Sequence, residues 1–203
     1  MDARVKNVID SLVAEFEAEE TELQRTGAAM SFATAALQAG PEVGGFLNLL
    51  IRLLGARTVV EVGTSYGYSA LWMGEAARDT GGRVIGIEYY AAKCARAREL
   101  VDLAGLSGVV TVRQGDALEI VGELDGPIDV AFIDAAKPDY IAYFDALLPR
   151  LRTGGCIVAD NMIFPERARE EARAYQAHVR AKPSVRSMEL TIGDGLEMTV
   201  KIA

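Results

Sequence analysis

Cysteine, histidine and tryptophan are scarce in this sequence: its 203 residues hold two Cys, one His and one Trp. Cys94 and Cys156 lie far apart and form no C-x-x-C pair, which excludes a disulfide scaffold and leaves reduced, packed thiols as the expectation. His178, set among Arg173, Gln176 and Arg180, has no Cys or second His nearby to complete a metal site. Trp72 falls inside a helical pattern and is expected in the core. Basic residues are also in the minority, 21 against 29 acids for a net charge of −8, and none gather into a stripe that could track phosphates. Nucleic acid is therefore excluded as the expected partner. No apolar run approaches the roughly 18 residues of a membrane span, so no membrane partner is expected. The opening Met1-Asp2-Ala3-Arg4 lacks the basic start and apolar centre of a secretory signal, and the expected location is cytoplasmic.

Repeats, low-complexity tracts and linkers are missing too, which predicts a single domain over residues 1–203. Val5, Val8, Ile9, Leu12, Val13 and Phe16 recur at helical spacing, so the chain should begin with an amphipathic helix ending near Gly27. Residues 1–40 lie outside the regular pattern that follows and are expected to form a helical lid or subunit contact. A helix over Glu42 to Leu54 then precedes the strand Thr58 to Val62 and a glycine-rich turn into another helix. The alternation continues with strand Arg83 to Ile87, helix Ala91 to Ala104, strand Val109 to Arg113 and a short helix near Leu118. Strand Ile128 to Ile133, helix Asp139 to Leu151, strand Cys156 to Ala159 and helix Pro165 to about Lys182 complete it. Repeated β-α units predict an α/β fold with a parallel sheet covered on both faces. Two period-2 runs joined by Gly193-Asp194-Gly195 predict a closing hairpin with an antiparallel strand.

Open α/β sheets bind ligands beyond the carboxyl ends of their strands. The first strand leads into Glu61-Val62-Gly63-Thr64-Ser65-Tyr66-Gly67-Tyr68-Ser69, where two glycines allow close backbone approach to a ligand. The second ends in Glu88, a carboxylate suited to a pair of ribose hydroxyls. Ser65 and Tyr68 stand where the dinucleotide fingerprint needs glycine, which disfavours a nicotinamide oxidoreductase. Glu61 would repel phosphate and attract a cation, so a positively charged ribonucleoside fits better. Gly115-Asp116-Ala117, after the third strand, could read a purine edge through a carboxylate and backbone amides. Asp134 and the pair Asp160-Asn161 follow neighbouring strands and present hard oxygen ligands suited to Mg²⁺, with Ca²⁺ or Mn²⁺ as alternatives. Lys137, just before Pro138, would reach the same crevice. The plainer reading of these positions is two capping acids and a solvated lysine at a helix start.

Taken together, five stretches resemble the cation-dependent class I S-adenosylmethionine O-methyltransferases, the group of catechol and caffeoyl-coenzyme A O-methyltransferases and many small bacterial members. They are residues 59–71, Gly86-Ile87-Glu88, Gly115-Asp116-Ala117, residues 132–140 and residues 157–161. The resemblance runs from about Pro41 to the end. It implies a Rossmann-like doubly wound sheet of seven strands in the order 3-2-1-4-5-7-6, strand 7 antiparallel, with an N-terminal helical extension, and a homodimer. It also implies that Glu61, Gly63, Thr64 and Ser69 contact the amino-acid part of S-adenosylmethionine, Glu88 its ribose and Ala117, beside Asp116, its adenine. Backbone near Ala39 would close over the cofactor. Asp134, Asp160 and Asn161 would hold the divalent cation, Asp134 also contacting the cofactor, with Lys137 as general base and Asp134 beside it in the catalytic set.

The sequence departs from that family at Ala136, where catechol enzymes carry Trp and plant caffeoyl enzymes an acid, and in the short segment Met162-Ile163-Phe164-Pro165. The expected function is metal-dependent methyl transfer to a hydroxyl of a catechol-like small molecule. A methyltransferase acting on a non-catechol acceptor without metal dependence, and a non-catalytic nucleoside-binding module, are the alternatives.

Overall fold

Apolar side chains alternate along the central strands and each strand feeds a helix, so one sheet is covered on both faces. The computed structural model describes residues 1–27, 33–35 and 38–203, with Arg167 described by its backbone alone. Helix α1 (Ala3–Thr26) starts where the Asp2 carboxylate accepts from the backbone N–H groups of Arg4 and Val5. It stops at Gly27, whose left-handed backbone returns its N–H to the Leu23 carbonyl. Its buried stripe is Val5, Ile9, Leu12 and Phe16, as the spacing predicts. Helix α2 (Gly40–Leu54) carries Pro41 in its first turn. The proposed lid over residues 1–40 is helical through Thr26, and its positions 28–32 and 36–37 lie outside the described residues.

The alternating part contains β1 (Thr58–Val62), α3 (Tyr68–Thr80), β2 (Arg83–Glu88), α4 (Ala91–Leu103), β3 (Val110–Gln114) and α5 (Ala117–Glu123). It continues with β4 (Ile128–Ile133), α6 (Tyr140–Leu147), β5 (Leu151–Ala159), α7 (Arg169–Arg180), β6 (Val185–Leu190) and β7 (Leu196–Lys201). The strands form one sheet in the order β3-β2-β1-β4-β5-β7-β6. β7 runs antiparallel to both β5 and β6, so the antiparallel strand is inserted beside the edge, in agreement with the expected order. On β4, Val130 and Phe132 pack toward α1–α4, while Ala131 and Ile133 pack toward α5–α7. Phe132 is fully buried, and its truncation to Ala should cost about 3–5 kcal/mol.

Several boundaries differ from the sequence reading for identifiable reasons. The expected helix from Asp139 to Leu151 is α6 flanked by 3₁₀ turns at Lys137–Asp139 and Leu148–Arg150, because Pro149 cannot donate within a continuing α-helix. Leu151 belongs instead to β5, which is longer than Cys156 to Ala159. Gly154 and Gly155, which precede the expected strand, lie within it, where the pairing with β4 shifts register between Ile128 and Val130. The helix expected from Pro165 opens as a 3₁₀ turn at Glu166–Ala168 and becomes α-helical only at Arg169. β3 lies one residue later than expected.

Both cysteines are buried and free. Trp72 is half-buried rather than enclosed and packs closely on Gly44 of α2, where a Cβ would come within 2.6 Å of its ring. His178 pairs with Asp145 at 2.9 Å. Among the described residues, no helix is long and apolar enough to cross a membrane.

Candidate active site

Parallel register determines which residues meet at the carboxyl edge of the sheet. Val62 lies opposite Ile87 on one side and Ile133 on the other, and Ile133 lies opposite Ala159. The next residue on each strand therefore faces one crevice: Gly63, Glu88, Asp134 and Asp160. Their backbones are tied together, since Gly63 N–H donates to the Ile87 carbonyl, Asp134 N–H to Val62 and Asp160 N–H to Ile133. Gly63 has φ +94°, and a Cβ there would lie 2.0 Å from the Asp134 carbonyl oxygen, so the turn and the close approach both require glycine.

Glu61 points from β1 toward α3 and is fully buried. The Ser69 hydroxyl donates to its Oε1, while its Oε2 and the neighbouring Thr64 Oγ1 have no hydrogen-bond partner among the described residues. Burial pushes the Glu61 carboxyl up to about 7 against the pull of the nearby Ser69 and Thr64 hydroxyls. Gly86 on β2 preserves the space in front of these atoms, because a Cβ would meet Thr64 Oγ1 at 2.5 Å and Glu61 Oε2 at 3.4 Å. Two orphaned polar atoms beside a glycine-lined recess fit the polar end of a cationic ligand. The Glu88 carboxylate is aimed by two backbone N–H groups at 2.8 Å each, Ser65 on Oε2 and Tyr90 on Oε1. The carboxylate oxygens keep further acceptor capacity, enough for a ribose.

Asp116 is exposed and caps α5, accepting from Leu118 N–H at 2.8 Å and Glu119 N–H at 3.2 Å. This is the plainer role available to an acid after a strand, and it sets Ala117 at the first position of the helix. Ala39 immediately precedes α2, with its carbonyl 3.7 Å from the position a Cβ on Gly193 would take. Glu42 Oε2 also accepts from Gly193 N–H at 3.2 Å, so the start of α2 meets the terminal hairpin.

The second half of the crevice is ionic. Asp160 is buried; its Oδ1 accepts from Asn161 N–H at 2.6 Å, whereas Oδ2 has no partner among the described residues. Asn161 has φ +56°, a left-handed conformation that asparagine tolerates, and the resulting bend brings its Oδ1 to 3.1 Å from Lys137 Nζ. Lys137 also donates to the Tyr140 hydroxyl at 2.5 Å. Burial lowers the Lys137 pKa to about 8 against the attraction of Asp134, Asp160 and Asp194. Burial raises both Asp134 and Asp160; each carboxylate is eased by Lys137, and Asp134 further discourages ionisation of Asp160. Among the described residues no three His, Cys, Asp or Glu side chains gather as a metal cluster. The set that fits a hard cation is therefore two carboxylates and an amide oxygen, with the orphaned Asp160 Oδ2 as the atom that calls for one.

Two residues here carried no role in the sequence reading. Tyr140 stands one helical turn after Lys137, a spacing that could have linked them. Asp194 was read only as part of a turn, and no local pattern shows that the reversal of β7 brings it within electrostatic reach of Asp134, Lys137 and Asp160.

The arrangement can be set beside known proteins. A catechol O-methyltransferase from Niastella koreensis is 42% identical over 132 residues, covering 63% of this chain and 59% of that enzyme. Caffeoyl-CoA O-methyltransferase 2 of Zea mays is 30% identical over 180 residues, covering 78% of this chain and 68% of that enzyme. The chain spans 54–61% of the length of three of the curated relatives it matches. The crystal structure of an O-methyltransferase from Bacillus cereus in complex with SAH superposes with a TM-score of 0.77 at 28% identity, covering 96% of this chain and 90% of the other. A family model described as O-methyltransferase matches residues 13–202, which takes in the glycine turn, all seven strands and the ionic crevice. The chain belongs to this O-methyltransferase family.

Proposed function

We propose that this protein is an S-adenosylmethionine-dependent O-methyltransferase that uses a divalent cation, Mg²⁺ first among the candidates, to methylate a hydroxyl of a catechol-like small molecule. The observation that carries this reading is the buried, half-satisfied Asp160 carboxylate beside Asp134, Asn161 and Lys137, directly beyond two neighbouring parallel strands. A nucleoside-binding module would need the recess around Glu61 and Glu88 but not this ionic set. The homodimer and cytoplasmic location expected from the sequence belong to the same reading, as does the single domain over residues 1–203.

When bound, S-adenosylmethionine supplies a methyl group on a positively charged sulfur, and the cation supplies charge that orients and acidifies adjacent hydroxyls. Glu61, Gly63, Thr64 and Ser69 would hold the amino-acid end, Glu88 the ribose, and Ala117 with Asp116 the adenine. Backbone at Ala39 would close the near side. Asp134, Asp160 and Asn161 would hold the cation. Lys137, with its pKa lowered by burial, accepts the acceptor's hydroxyl proton at Nζ, and Tyr140 fixes the direction of that nitrogen. Ala136 and Phe164, two residues after Asp134 and three after Asn161, are exposed, which favours an open acceptor side and keeps a non-catechol acceptor as the second reading.

The test is incubation with S-adenosylmethionine, Mg²⁺ and a panel of catechols and caffeoyl compounds, read by mass spectrometry. Gain of one methyl group, abolished by a chelator and restored by Mg²⁺, is the expected result. Undiminished turnover under the chelator would overturn the metal role; no methyl gain on any vicinal hydroxyl acceptor would overturn the substrate class.

A further inference from the structure

Lys93 lies in the first turn of α4 and is only 3% exposed, an unusual position for a flexible ammonium group. Its Nζ is 3.4 Å from the Ser65 hydroxyl, beneath the turn whose backbone N–H aims Glu88. The same nitrogen lies 5.7 Å from the Tyr66 ring centroid and 5.8 Å from that of Tyr90, so two aromatic faces accompany the charge into the interior. Burial lowers the Lys93 pKa, and Glu88, Glu19 and Asp134 offset part of that through space. The hydrogen bond goes to a hydroxyl rather than to any of these acids. The charge is thus felt at both Glu88 and Asp134, which bracket the crevice from its ribose end to its ionic end.

Through Glu88 and Asp134 the Lys93 charge thereby acts on the crevice in which, on the function proposed above, the reacting sulfur would lie. Methyl transfer is the step in which that stretch loses positive charge: the acceptor oxygen bonds to the methyl carbon, the carbon–sulfur electron pair returns to sulfur, and a sulfonium becomes a neutral thioether. We propose that Lys93 is a positioning and electrostatic residue of the cofactor cleft, propping the Ser65 turn and favouring the state in which charge has left the sulfur. A fixed buried cation raises the ground state of a bound sulfonium more than that of the transition state, where the charge is already dispersing. It also narrows the preference of the cleft for the charged cofactor over its spent form. This inference rests on the proposed use of S-adenosylmethionine and adds a residue that neither the sequence reading nor the family resemblance singles out.

The test compares dissociation constants for S-adenosylmethionine and S-adenosylhomocysteine by calorimetry in wild type, Lys93→Met, Lys93→Gln, Lys93→Arg and Ser65→Ala, each checked for a folded melting transition. The two neutral variants should raise the preference for S-adenosylmethionine over S-adenosylhomocysteine by about 3- to 30-fold, the scale of one charge acting across a protein interior. They should also lower kcat while KM for the cofactor falls. Lys93→Arg should keep the wild-type preference, and Ser65→Ala should weaken both ligands in parallel. A preference unchanged in Lys93→Met and Lys93→Gln, or shifted equally by Lys93→Arg, would overturn the role of the charge. Wild type that binds neither ligand would instead overturn the proposed cofactor, and this inference with it.

Discussion

Lys137 Nζ lies 2.5 Å from the Tyr140 hydroxyl and 4.0 Å from the centroid of its ring, so one buried tyrosine holds the lysine both by a hydrogen bond and by its face. The hydroxyl also accepts from Ala135 N–H at 3.3 Å, and burial with Asp134 and Asp160 nearby keeps the phenol far from ionising. Tyr140 therefore anchors the lysine without competing as a base. Lys137→Ala should lower kcat by about 10²- to 10⁴-fold, and Lys137→Arg should not rescue it because a guanidinium stays protonated. Tyr140→Phe keeps the ring and loses the anchor, with an expected fall of about 3- to 30-fold. Because the base must be neutral, kcat should rise with pH through an apparent pKa near or below about 8. Steady-state kinetics across pH with all ligands saturating checks both points, and a flat profile would remove Lys137 from the proton path.

Metal dependence should map onto strand β5. Asp160→Ala should weaken Mg²⁺ binding by about 10-fold or more while leaving S-adenosylmethionine affinity within about 2-fold, since the Glu61–Glu88 recess stands on other strands. Metal titration and cofactor calorimetry on the same sample separate these effects. Superimposable metal titrations for wild type and Asp160→Ala would contradict the shared cation site.

Glu88 gives the complementary outcome. Its carboxylate is held by Ser65 and Tyr90 N–H groups, and on the proposed function it meets the cofactor's ribose. Glu88→Ala should weaken cofactor binding by about 1.5–3 kcal/mol and leave metal affinity unaffected. Calorimetry reads it directly, and unchanged affinity in a folded variant would exclude Glu88 from the site.

The Glu61 carboxyl predicts a pH dependence of stability. Its folded pKa of about 7 exceeds the ordinary 4.5 because the group is buried. Between these values the folded chain binds the proton more firmly than the unfolded chain does. The stabilising contribution is full below about pH 4.5, declines as pH rises toward 7 and is absent above it, a span of about 3 kcal/mol. Glu61→Gln cannot titrate and should flatten that part of the curve. Urea denaturation of ligand-free wild type and Glu61→Gln at stepped pH measures the difference; parallel curves would show that burial does not raise the Glu61 pKa.

Much of the crevice was legible because its residues directly follow apolar runs. Once Ile133 and Ala159 are read as strand ends, Asp134 and Asp160 have to emerge side by side from a parallel sheet. The glycine turn was equally plain, since Gly63 and Gly67 punctuate a strand-to-helix passage. What stayed hidden depends on packing between distant segments. Gly154 and Gly155 look like a loop, and only the pairing of β4 with Leu151 before them and Cys156 after them places them inside β5. Lys93 looks like a solvated helix residue until Tyr66 and Tyr90 are seen beside its ammonium. Asp194 acquires its neighbours only when the hairpin lies over the strand ends, where its carbonyl accepts from Ile163 and Phe164 N–H. Asp116 shows the opposite limit: its position suggested ligand contact, and its carboxylate is at least partly engaged in capping a helix.

The placement of β7 between β5 and β6 also sets an order of assembly. β6 precedes β7 along the chain, yet its hydrogen-bonded neighbour in the sheet is β7. During synthesis β6 must therefore wait for residues not yet made, and β5 stays an open edge until residues 196–201 dock against it. The same docking brings Gly193 to Glu42, across 151 positions of sequence, and lays the Asp194 carbonyl against the segment after Asp160-Asn161. The side of the crevice beyond Asp160-Asn161 is thus closed by the last strand in chain order, so it cannot take shape before residues 193–201 are present.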